Sequence, residues 1–246
     1  MHVTFDPLVL LTVLAFIIPW GDAAKRVRAA WFCLLAWRLR RRLERETGAR
    51  VLVYVGRIER SSTFSLIRKI RATPPTRRLE LVLDTTGGDP DAGRAVLHAL
   101  ASHPAKVVVR VPDECWSAGS IIAAGADEVV LAPDANIGPT DVWVTYDPNT
   151  LWPAQVLLAE EAGEPLERAR SKALVAGIIG AITAARVHRG EDTAKARALA
   201  ERLTMAPDHG EPRFFEDVQA LGLKVRVDAD QRWGTLVMWT GRSRSP

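Results

Sequence analysis

The chain has 246 residues, of which 48% are hydrophobic and 25% charged, so it can form one hydrophobic core of ordinary globular composition. Its formal net charge is +4, but the basic residues concentrate between Lys25 and Arg50, directly after an apolar segment. This placement favours a membrane surface over nucleic acid as the partner. Two cysteines and five scattered histidines form no ligand cluster, which excludes a disulfide framework and predicts neither a metal nor a cofactor.

Residues 1–48 have the composition of a membrane-attachment region. Residues 8–20 are almost uninterrupted apolar side chains, although a full bilayer span needs roughly 20 of them. Residues 29–43 mix tryptophan, phenylalanine and leucine with four arginines, which is typical of a helix lying in the headgroup region. No clear cleavage motif of small residues follows the apolar segment, which argues against a removed signal peptide. The alternative is that both stretches are ordinary core helices.

We therefore predict two regions, an anchor over residues 1–48 and a globular domain over residues 49–246. The anchor is expected either to cross the cell membrane once or to lie in its interface. If it crosses, the basic cluster after it places the globular domain in the cytoplasm by the positive-inside rule.

From residue 50 the pattern changes to short apolar runs that alternate with helical segments. Such alternation predicts an α/β fold, in which a parallel sheet is covered by helices. Residues 134–153 are rich in proline, asparagine, aspartate and glycine, which predicts a long loop. The predicted strands cover residues 51–55, 79–83, 107–111, 129–131, 225–227 and 235–239. The predicted helices cover residues 61–72, 92–101, 121–126, 153–161, 166–188, 193–203 and 214–221.

Two turns that leave predicted strands carry residue types suited to acyl transfer. The turn Asp84-Thr-Thr-Gly-Gly-Asp89 exposes backbone N–H groups, and glycine permits the tight dihedral angles of such a turn. The turn Trp116-Ser-Ala-Gly-Ser120 places a serine between a strand and a helix, beside the positive end of the helix dipole. Together they supply a hydroxyl and an oxyanion hole. Helix capping is the alternative role for Ser117, and Ser120 is a second candidate for the reactive hydroxyl.

An ordered set of six short motifs lies between residues 73 and 141. They are Thr73-Pro-Pro75, Leu83-Asp-Thr-Thr-Gly-Gly88, His103-Pro-Ala-Lys106, Trp116-Ser-Ala-Gly-Ser120, Ala126-Asp-Glu128 and Ile137-Gly-Pro139. In this order and at these spacings, they resemble the core of the ClpP/crotonase superfamily. Within it, the chain most resembles the membrane-anchored serine dehydrogenase proteinase (SDH proteinase) family, which is related to SppA and NfeD-type proteases. The resemblance implies a ClpP/crotonase-like parallel sheet flanked by helices, with an N-terminal membrane helix.

The resemblance also implies a nucleophile and an oxyanion hole. Ser117 occupies the serine position of the family's Ser-Gly-Gly-Thr motif, which makes it the expected nucleophile. The next residue here is Ala118 instead of glycine, but its N–H remains a donor, since only proline would remove it. Gly88, with Gly87, is expected to provide the opposing N–H groups of the oxyanion hole.

A serine nucleophile needs a base, and the sequence disfavours the Ser-His-Asp arrangement of ClpP. The segment Asn136-Ile-Gly-Pro-Thr140, where ClpP has its histidine, contains none. The SppA-like and NfeD-like relatives use lysine, and Lys172 lies where that lysine falls on the downstream helix. The alanine- and isoleucine-rich residues 173–185 suit an amine removed from water, which loses its proton more easily. A surface lysine is the alternative role, and Lys195 and Lys224 are rival bases.

By this resemblance the chain is expected to be a membrane-anchored serine endopeptidase with a Ser117–Lys172 dyad. It would cleave extended peptides or segments of membrane proteins, without a metal, a nucleotide or nucleic acid. The other expected partners are membrane lipid and further copies of the chain, since members of the superfamily form rings and stacked trimers. Two alternatives share the fold: a crotonase-like acyl-CoA enzyme, which usually carries catalytic carboxylates, and a membrane scaffold without catalytic activity.

Overall fold

The computed structural model describes residues 22–140, 143–147, 150–154, 158, 165–205 and 211–242. The predicted apolar anchor segment, residues 8–20, lies outside this part of the chain. The helices are α1 (Asp22–Thr47), α2 (Arg60–Arg71), α3 (Pro90–Ala101), α4 (Ala118–Ala123), α5 (Pro165–His188), α6 (Thr193–Thr204), α7 (Phe215–Ala220) and α8 (Arg232–Arg242). The strands are β1 (Arg50–Val55), β2 (Leu79–Asp84), β3 (Val107–Val111), β4 (Glu114–Cys115), β5 (Glu128–Leu131), β6 (Asn136–Ile137), β7 (Trp143–Asp147), β8 (Thr150–Pro153) and β9 (Val225–Val227).

Five of these strands form the main sheet, in the order β1-β2-β3-β5-β9. Every neighbouring pair in it is parallel, so all five carboxyl ends meet at one edge of the sheet. Helices make the connections, because parallel strands need a crossover of a dozen or more residues. The predicted α/β architecture, a parallel sheet flanked by helices, is confirmed.

Residues along the strands alternate between the two faces of this sheet. On β2, Leu79, Leu81 and Leu83 are fully buried in the main core, which the sheet forms with helices α2 to α7. The intervening Val82 joins Val51 of β1 in a second core on the opposite face, where α1 and α8 pack. The continuous apolar runs in the sequence therefore reflect burial on both faces.

The segment predicted as a final strand, residues 235–239, is instead part of helix α8. Its buried residues Trp233, Leu236 and Val237 recur at helical spacing and belong to the second core. At the start of the helix, the side chain of Asp230 accepts a hydrogen bond from the Arg232 N–H. The prediction was wrong because a short apolar run does not distinguish a strand from a helix, and packing onto the sheet decides between them.

The loop predicted over residues 134–153 is also wrong, because most of this stretch is β structure. β6 pairs with β4 in parallel, and β7 and β8 form an antiparallel hairpin. The aromatic and β-branched residues of this stretch suit paired strands, which its proline, asparagine and aspartate residues obscured in the sequence. A helix was predicted over residues 153–161. Residue 153 is instead the last residue of β8, and the described residues 154 and 158 are helical.

Helix α1 contains the predicted headgroup helix, residues 29–43, and its second half is part of the folded domain. Ala36 and Leu43 are buried in the second core, whereas Leu34 and Trp37 are exposed. In the part of the chain that the structure describes, no helix combines the length and the apolar character needed to cross a bilayer. The predicted membrane helix over residues 8–20 therefore stays a prediction.

Arg189, directly after α5, attaches the end of this helix to the domain. Its guanidinium donates to the carbonyls of Leu100 at 3.2 Å and His103 at 3.0 Å, at the end of α3. It also forms an ion pair with Asp127, which immediately precedes β5. A helix end leaves carbonyls unpaired, and a guanidinium can bind them. These contacts hold the carboxyl end of α5 at the amino edge of the sheet.

Replacement of Arg189 by methionine is expected to destabilise the fold by about 3 kcal/mol, because it leaves buried carbonyls and a carboxylate without their partner. Urea denaturation of the full chain in a mild non-ionic detergent, followed by circular dichroism, measures this change. Arg197→Met is the matched control, since Arg197 is exposed and pairs with Glu201 of its own helix. Equal unfolding midpoints for the two variants would contradict the role of Arg189.

The ion pair of Asp127 predicts a loss of stability in acid. Burial raises the pKa of Asp127, but hydrogen bonds from Arg189 and from the Val107 N–H outweigh it, so the pKa lies below the ordinary value of 3.8. The stabilisation is therefore present above about pH 4 and is lost as the pH falls through the lowered pKa. In Asp127→Asn the urea midpoint should change less over this acid range than in the unmodified chain. A parallel decline of both midpoints would refute this assignment.

Candidate active site

The two predicted turns lie side by side at the carboxyl edge of the sheet. An isolated parallel bridge joins Thr85, which follows β2, to Cys115 of β4. Within it, the Trp116 N–H donates to the Thr85 carbonyl at 2.9 Å. The bridge brings Gly87 against Ser117 so closely that a β-carbon on Gly87 would lie 2.8 Å from the Cβ of Ser117. Only a glycine fits at this crossing of the two turns.

Ser117 adopts a backbone conformation that L-residues rarely take. Its φ is 51° and its ψ is −115°, and among the described residues it alone combines a side chain with a positive φ. Its N–H donates to the Pro139 carbonyl at 3.1 Å, but its hydroxyl makes no capping hydrogen bond to α4. Backbone strain of this kind persists where the surrounding structure enforces it, and it clusters at active sites. The turn presents a partly exposed hydroxyl at the start of a helix, as a nucleophile elbow does.

The Gly-Gly segment is bonded along one edge and open along the other. The Ile58 N–H donates to the Gly87 carbonyl at 2.8 Å, and the Asp89 N–H donates to the Ile58 carbonyl at 2.9 Å. Because successive peptide groups of an extended segment alternate in direction, the N–H and the carbonyl of Gly88 point away from Ile58. The Gly87 N–H donates to the Thr85 hydroxyl at 3.0 Å. Of the two predicted glycine donors, the Gly88 N–H is therefore the one left without an acceptor in the described structure.

A second N–H is available at Ala118, the first residue of α4. The first N–H groups of a helix have no partner within it, and in the described part of the chain that of Ala118 donates to no acceptor. A β-carbon on Gly87 would lie 3.4 Å from the Ala118 nitrogen, so this donor adjoins the Gly-Gly segment. On its other side Ala118 packs on Gly93 of α3, where a β-carbon would lie 3.2 Å from that of Ala118.

Two other nucleophilic side chains lie close to Ser117 in the sequence, those of Cys115 and Ser120, and both are buried. Ser120 is 1% exposed, and its hydroxyl lies within hydrogen-bond distance of two carbonyls, those of Cys115 at 3.0 Å and Gly138 at 2.7 Å. The Cys115 thiol is fully buried, and burial raises its pKa well above the ordinary value, so it stays protonated and unreactive. Of these three side chains, only that of Ser117 is reached by solvent.

Helix α5 places Lys172 at the same edge of the sheet as Ser117. Arg189 holds the end of α5 at the opposite edge, and Lys172 lies roughly 25 Å before it along the helix. Near the middle of α5, Gly177 contacts Arg94 close to the start of α3, since a β-carbon on Gly177 would lie 2.9 Å from the Arg94 guanidinium. The helix therefore runs from the amino edge, where it is anchored, to the carboxyl edge, where the two turns meet.

Arg186 joins the same helix to the end of α4. Its guanidinium donates to the carbonyls of Ala126 at 3.0 Å and Ala124 at 3.3 Å, and it forms an ion pair with Glu191. The helix that begins at the Ser117 turn and the helix that carries Lys172 are thus bonded to each other through one buried guanidinium.

Lys172 itself is exposed in the single chain, although its helix is largely apolar. In the part of the chain that the structure describes, it makes no hydrogen bond or ion pair, whereas the neighbouring Ser171 is fully buried. The rivals Lys195 and Lys224 are exposed too. They lie at the amino edge of the sheet, because Lys195 begins α6 shortly after Arg189 and Lys224 precedes β9. Topology therefore separates both rivals from Ser117.

Sequence reasoning missed the main-chain partners that hold the site together. The main chains of Ile58 and Pro139 each form hydrogen bonds with a residue of the site, and the Thr85 hydroxyl accepts a hydrogen bond from the Gly87 N–H. Thr85 and Pro139 belong to motifs that the sequence does single out, but main-chain bonds between distant segments carry no residue-type signal. No group of three or more histidine, cysteine, aspartate or glutamate side chains suited to a metal ion occurs among the residues described.

The model of one protein family, described as ClpP-like SDH-type serine proteinase, matches residues 8–239. The chain belongs to this family. The predicted family is thereby confirmed, and the α/β fold is ClpP-like. The family is one of serine proteinases, which agrees with the predicted enzyme class.

Two relatives of the SDH-type chain are uncharacterized proteins of Methanocaldococcus jannaschii. MJ0137 is 29% identical over 183 residues, which cover 70% of this chain and 62% of that protein. MJ1495 is 31% identical over 147 residues, which cover 54% of this chain and 48% of that protein. The chain thus spans about half to three-fifths of the length of these relatives.

Two solved structures share the fold, both of the 1510-N membrane-bound stomatin-specific protease. Its serine-to-alanine mutant has a TM-score of 0.52 at 19% identity, and the match covers 73% of this chain and 79% of that one. Its lysine-to-alanine mutant, in complex with a substrate peptide, has a TM-score of 0.52 at 22% identity, covering 73% and 74%. At these identities the likeness concerns the fold.

The buried contacts of Ser120 predict how its loss differs from that of Ser117. Ser120→Ala is expected to lower stability by about 1 kcal/mol, because the Gly138 carbonyl loses a buried donor, but to leave a reactive serine in place. Thermal unfolding and labelling by a fluorophosphonate probe measure the two effects separately. Complete loss of labelling in folded Ser120→Ala would show that the reactive hydroxyl had been assigned to the wrong serine.

Proposed function

We propose that this SDH-type chain hydrolyses peptide bonds, with Ser117 as the nucleophile and Lys172 as the general base. The observation that carries the proposal is the strained turn of Ser117, which adjoins two N–H groups, of Gly88 and Ala118, that have no acceptor in the described structure. The Ser117 hydroxyl makes no capping bond that would account for the strain, whereas a hydroxyl beside two free donors suits acyl transfer.

In the proposed reaction, the Ser117 hydroxyl attacks the carbonyl carbon of the scissile peptide bond while neutral Lys172 accepts its proton. The carbonyl oxygen becomes an oxyanion, which the N–H groups of Gly88 and Ala118 bind; each such donor typically stabilises the transition state by about 3 kcal/mol. The protonated amine then gives its proton to the leaving nitrogen, and an acyl-enzyme remains. Water, deprotonated by the same amine, hydrolyses the acyl-enzyme and restores the serine.

The substrate class follows from the open edge of the Gly-Gly segment. The Gly88 carbonyl points to the same side as the Gly88 N–H, so an extended peptide can pair with this edge through its own main chain. Main-chain pairing selects for extended segments and places their carbonyls near Ser117. The substrate peptide bound to the stomatin-specific protease, which shares the fold, supports the same class of ligand here.

A neutral base requires that Lys172 be removed from water, and the single chain leaves it exposed. We assign this removal to a neighbouring copy of the chain in a homo-oligomer or to the bound substrate. Because burial disfavours the charged amine, covering Lys172 would activate the base at the moment of assembly or substrate binding.

Attachment to the cell membrane is part of the proposal. Residues 8–20 supply the apolar segment, as a single-pass or interfacial anchor over residues 1–48, and the basic residues after it place the domain in the cytoplasm. The stomatin-specific protease is itself membrane-bound, which supports substrates that are membrane proteins or peptides near the membrane.

Labelling by a fluorophosphonate probe tests nucleophile and base together. Ser117→Ala should abolish labelling, and Lys172→Ala should slow it by about 10²- to 10⁴-fold, the usual contribution of a general base. Lys195→Ala is the matched control, because it removes an exposed lysine at the opposite edge of the sheet. Lys172→Arg should not restore the rate, since a guanidinium does not release its proton.

Equal labelling rates in Lys172→Ala and Lys195→Ala would refute the proposed base. Acyl-CoA turnover that survives in Ser117→Ala would favour the acyl-CoA alternative, and the absence of both activities in the full chain would favour a scaffold.

A further inference from the structure

Four arginines follow one another along one side of α1. Arg38, Arg41, Arg42 and Arg45 are three and four residues apart, which places them on the same stripe of the helix, and all are exposed. Like charges at these spacings repel one another and destabilise the helix. The stripe is therefore costly to the isolated chain unless a negatively charged group binds to it.

Nearby carboxylates neutralise this stripe only in part. Glu44 is buried, and its carboxylate pairs with Arg41 of the stripe at 3.4 Å and with Arg50 at 3.1 Å, so its one negative charge is shared between them. Glu46 pairs with Arg42 at 2.8 Å. Arg38 forms no ion pair within the part of the chain that the structure describes. The stripe keeps an excess of positive charge.

The arginine stripe borders a groove of about 810 Å³ that reaches α8. Arg77, from the turn before β2, adds a fifth guanidinium to its lining. Trp37, which is 50% exposed, and Trp239 add indole rings, and Leu35 and Leu39 add apolar surface. The groove is also lined by Glu44, but five guanidinium groups outnumber this one carboxylate. Guanidinium, aromatic and aliphatic groups thus meet in one groove with net positive charge.

We propose that this groove binds the headgroup of an anionic phospholipid. Guanidinium groups match the oxygens of a phosphodiester, and tryptophan is enriched at the level of lipid headgroups. The leucines suit the glycerol backbone and the first acyl carbons, which a nucleic acid or free phosphate would not supply. The apolar residues 8–20 directly precede α1 in the sequence, so their insertion in a bilayer would keep this groove near lipid headgroups.

The inference goes beyond peptide hydrolysis, because it concerns the orientation of the domain. The second half of α1 is packed on the sheet through Ala36 and Leu43. A headgroup held in the groove therefore fixes the sheet, and not only a helix, at the membrane surface. The inferred lipid site is independent of Ser117 and Lys172, because these residues lie on elements that pack on the opposite face of the sheet.

Native mass spectrometry of the full chain, released from a non-ionic detergent and titrated with defined lipids, tests the proposal. Phosphatidylglycerol should remain bound about tenfold more strongly than phosphatidylcholine. Arg38→Gln/Arg41→Gln should reduce phosphatidylglycerol binding by about thirtyfold, given the usual contribution of each arginine near an anionic lipid. Arg68→Gln/Arg71→Gln is the matched control, since these arginines are also exposed and three residues apart but lie on α2, against the other face.

Three outcomes would overturn the proposal. Equal losses in the two double variants would show unspecific attraction to charge, and equal binding of the two lipids would show that charge is not recognised. Full displacement of phosphatidylglycerol by an equal concentration of soluble glycerol phosphate would identify a site for free phosphate instead. Circular dichroism confirms that each variant is folded, and unchanged fluorophosphonate labelling separates any loss from the peptidase site.

Discussion

The backbone pairing of Thr85 with Cys115 is the contact on which the rest of the site depends. It holds a glycine turn and a serine turn, which come from different strands, at a distance that admits no side chain at Gly87. The strained conformation of Ser117, and the direction of the Gly88 and Ala118 N–H groups, follow from this crossing. Each turn leaves the carboxyl end of a central strand or its continuation, so the parallel sheet is what makes the crossing possible.

A second constraint links the nucleophile turn to the proposed base. Helix α5 is anchored at one edge of the sheet by Arg189, bonded to the end of α4 by Arg186, and carries Lys172 to the other edge. The two arginines satisfy carbonyls that helix ends leave unpaired. The hydrogen bonds that stabilise the domain therefore also position the helix that the proposed chemistry needs. Because Lys172 is exposed in the single chain, its removal from water needs a further step, which is substrate binding or assembly.

Much of the fold could be predicted from the sequence, and the errors have physical causes. Continuous apolar runs predict the central strands, because strands buried on both faces of a sheet have this composition. The alternation of these runs with helical segments predicts that the strands are parallel. The final strand predicted over residues 235–239 is part of α8, because a run of five residues with four apolar ones suits a strand or a helix equally, and only packing on the sheet selects the helix. The stretch that contains β7 and β8 was predicted as a loop because proline, asparagine, aspartate and glycine are frequent in residues 134–153.

By itself, the sequence determined which residue types stand at the two turns, that a serine follows a strand, and that basic and aromatic residues occur together in α1. Local composition and spacing are enough for these points. Only the tertiary structure decided that Gly88 and not Gly87 has a free N–H, that Ser120 is buried while Ser117 is reached by solvent, and that Lys195 and Lys224 lie at the wrong edge. These points depend on hydrogen bonds and burial between segments far apart in the chain, which no local pattern encodes.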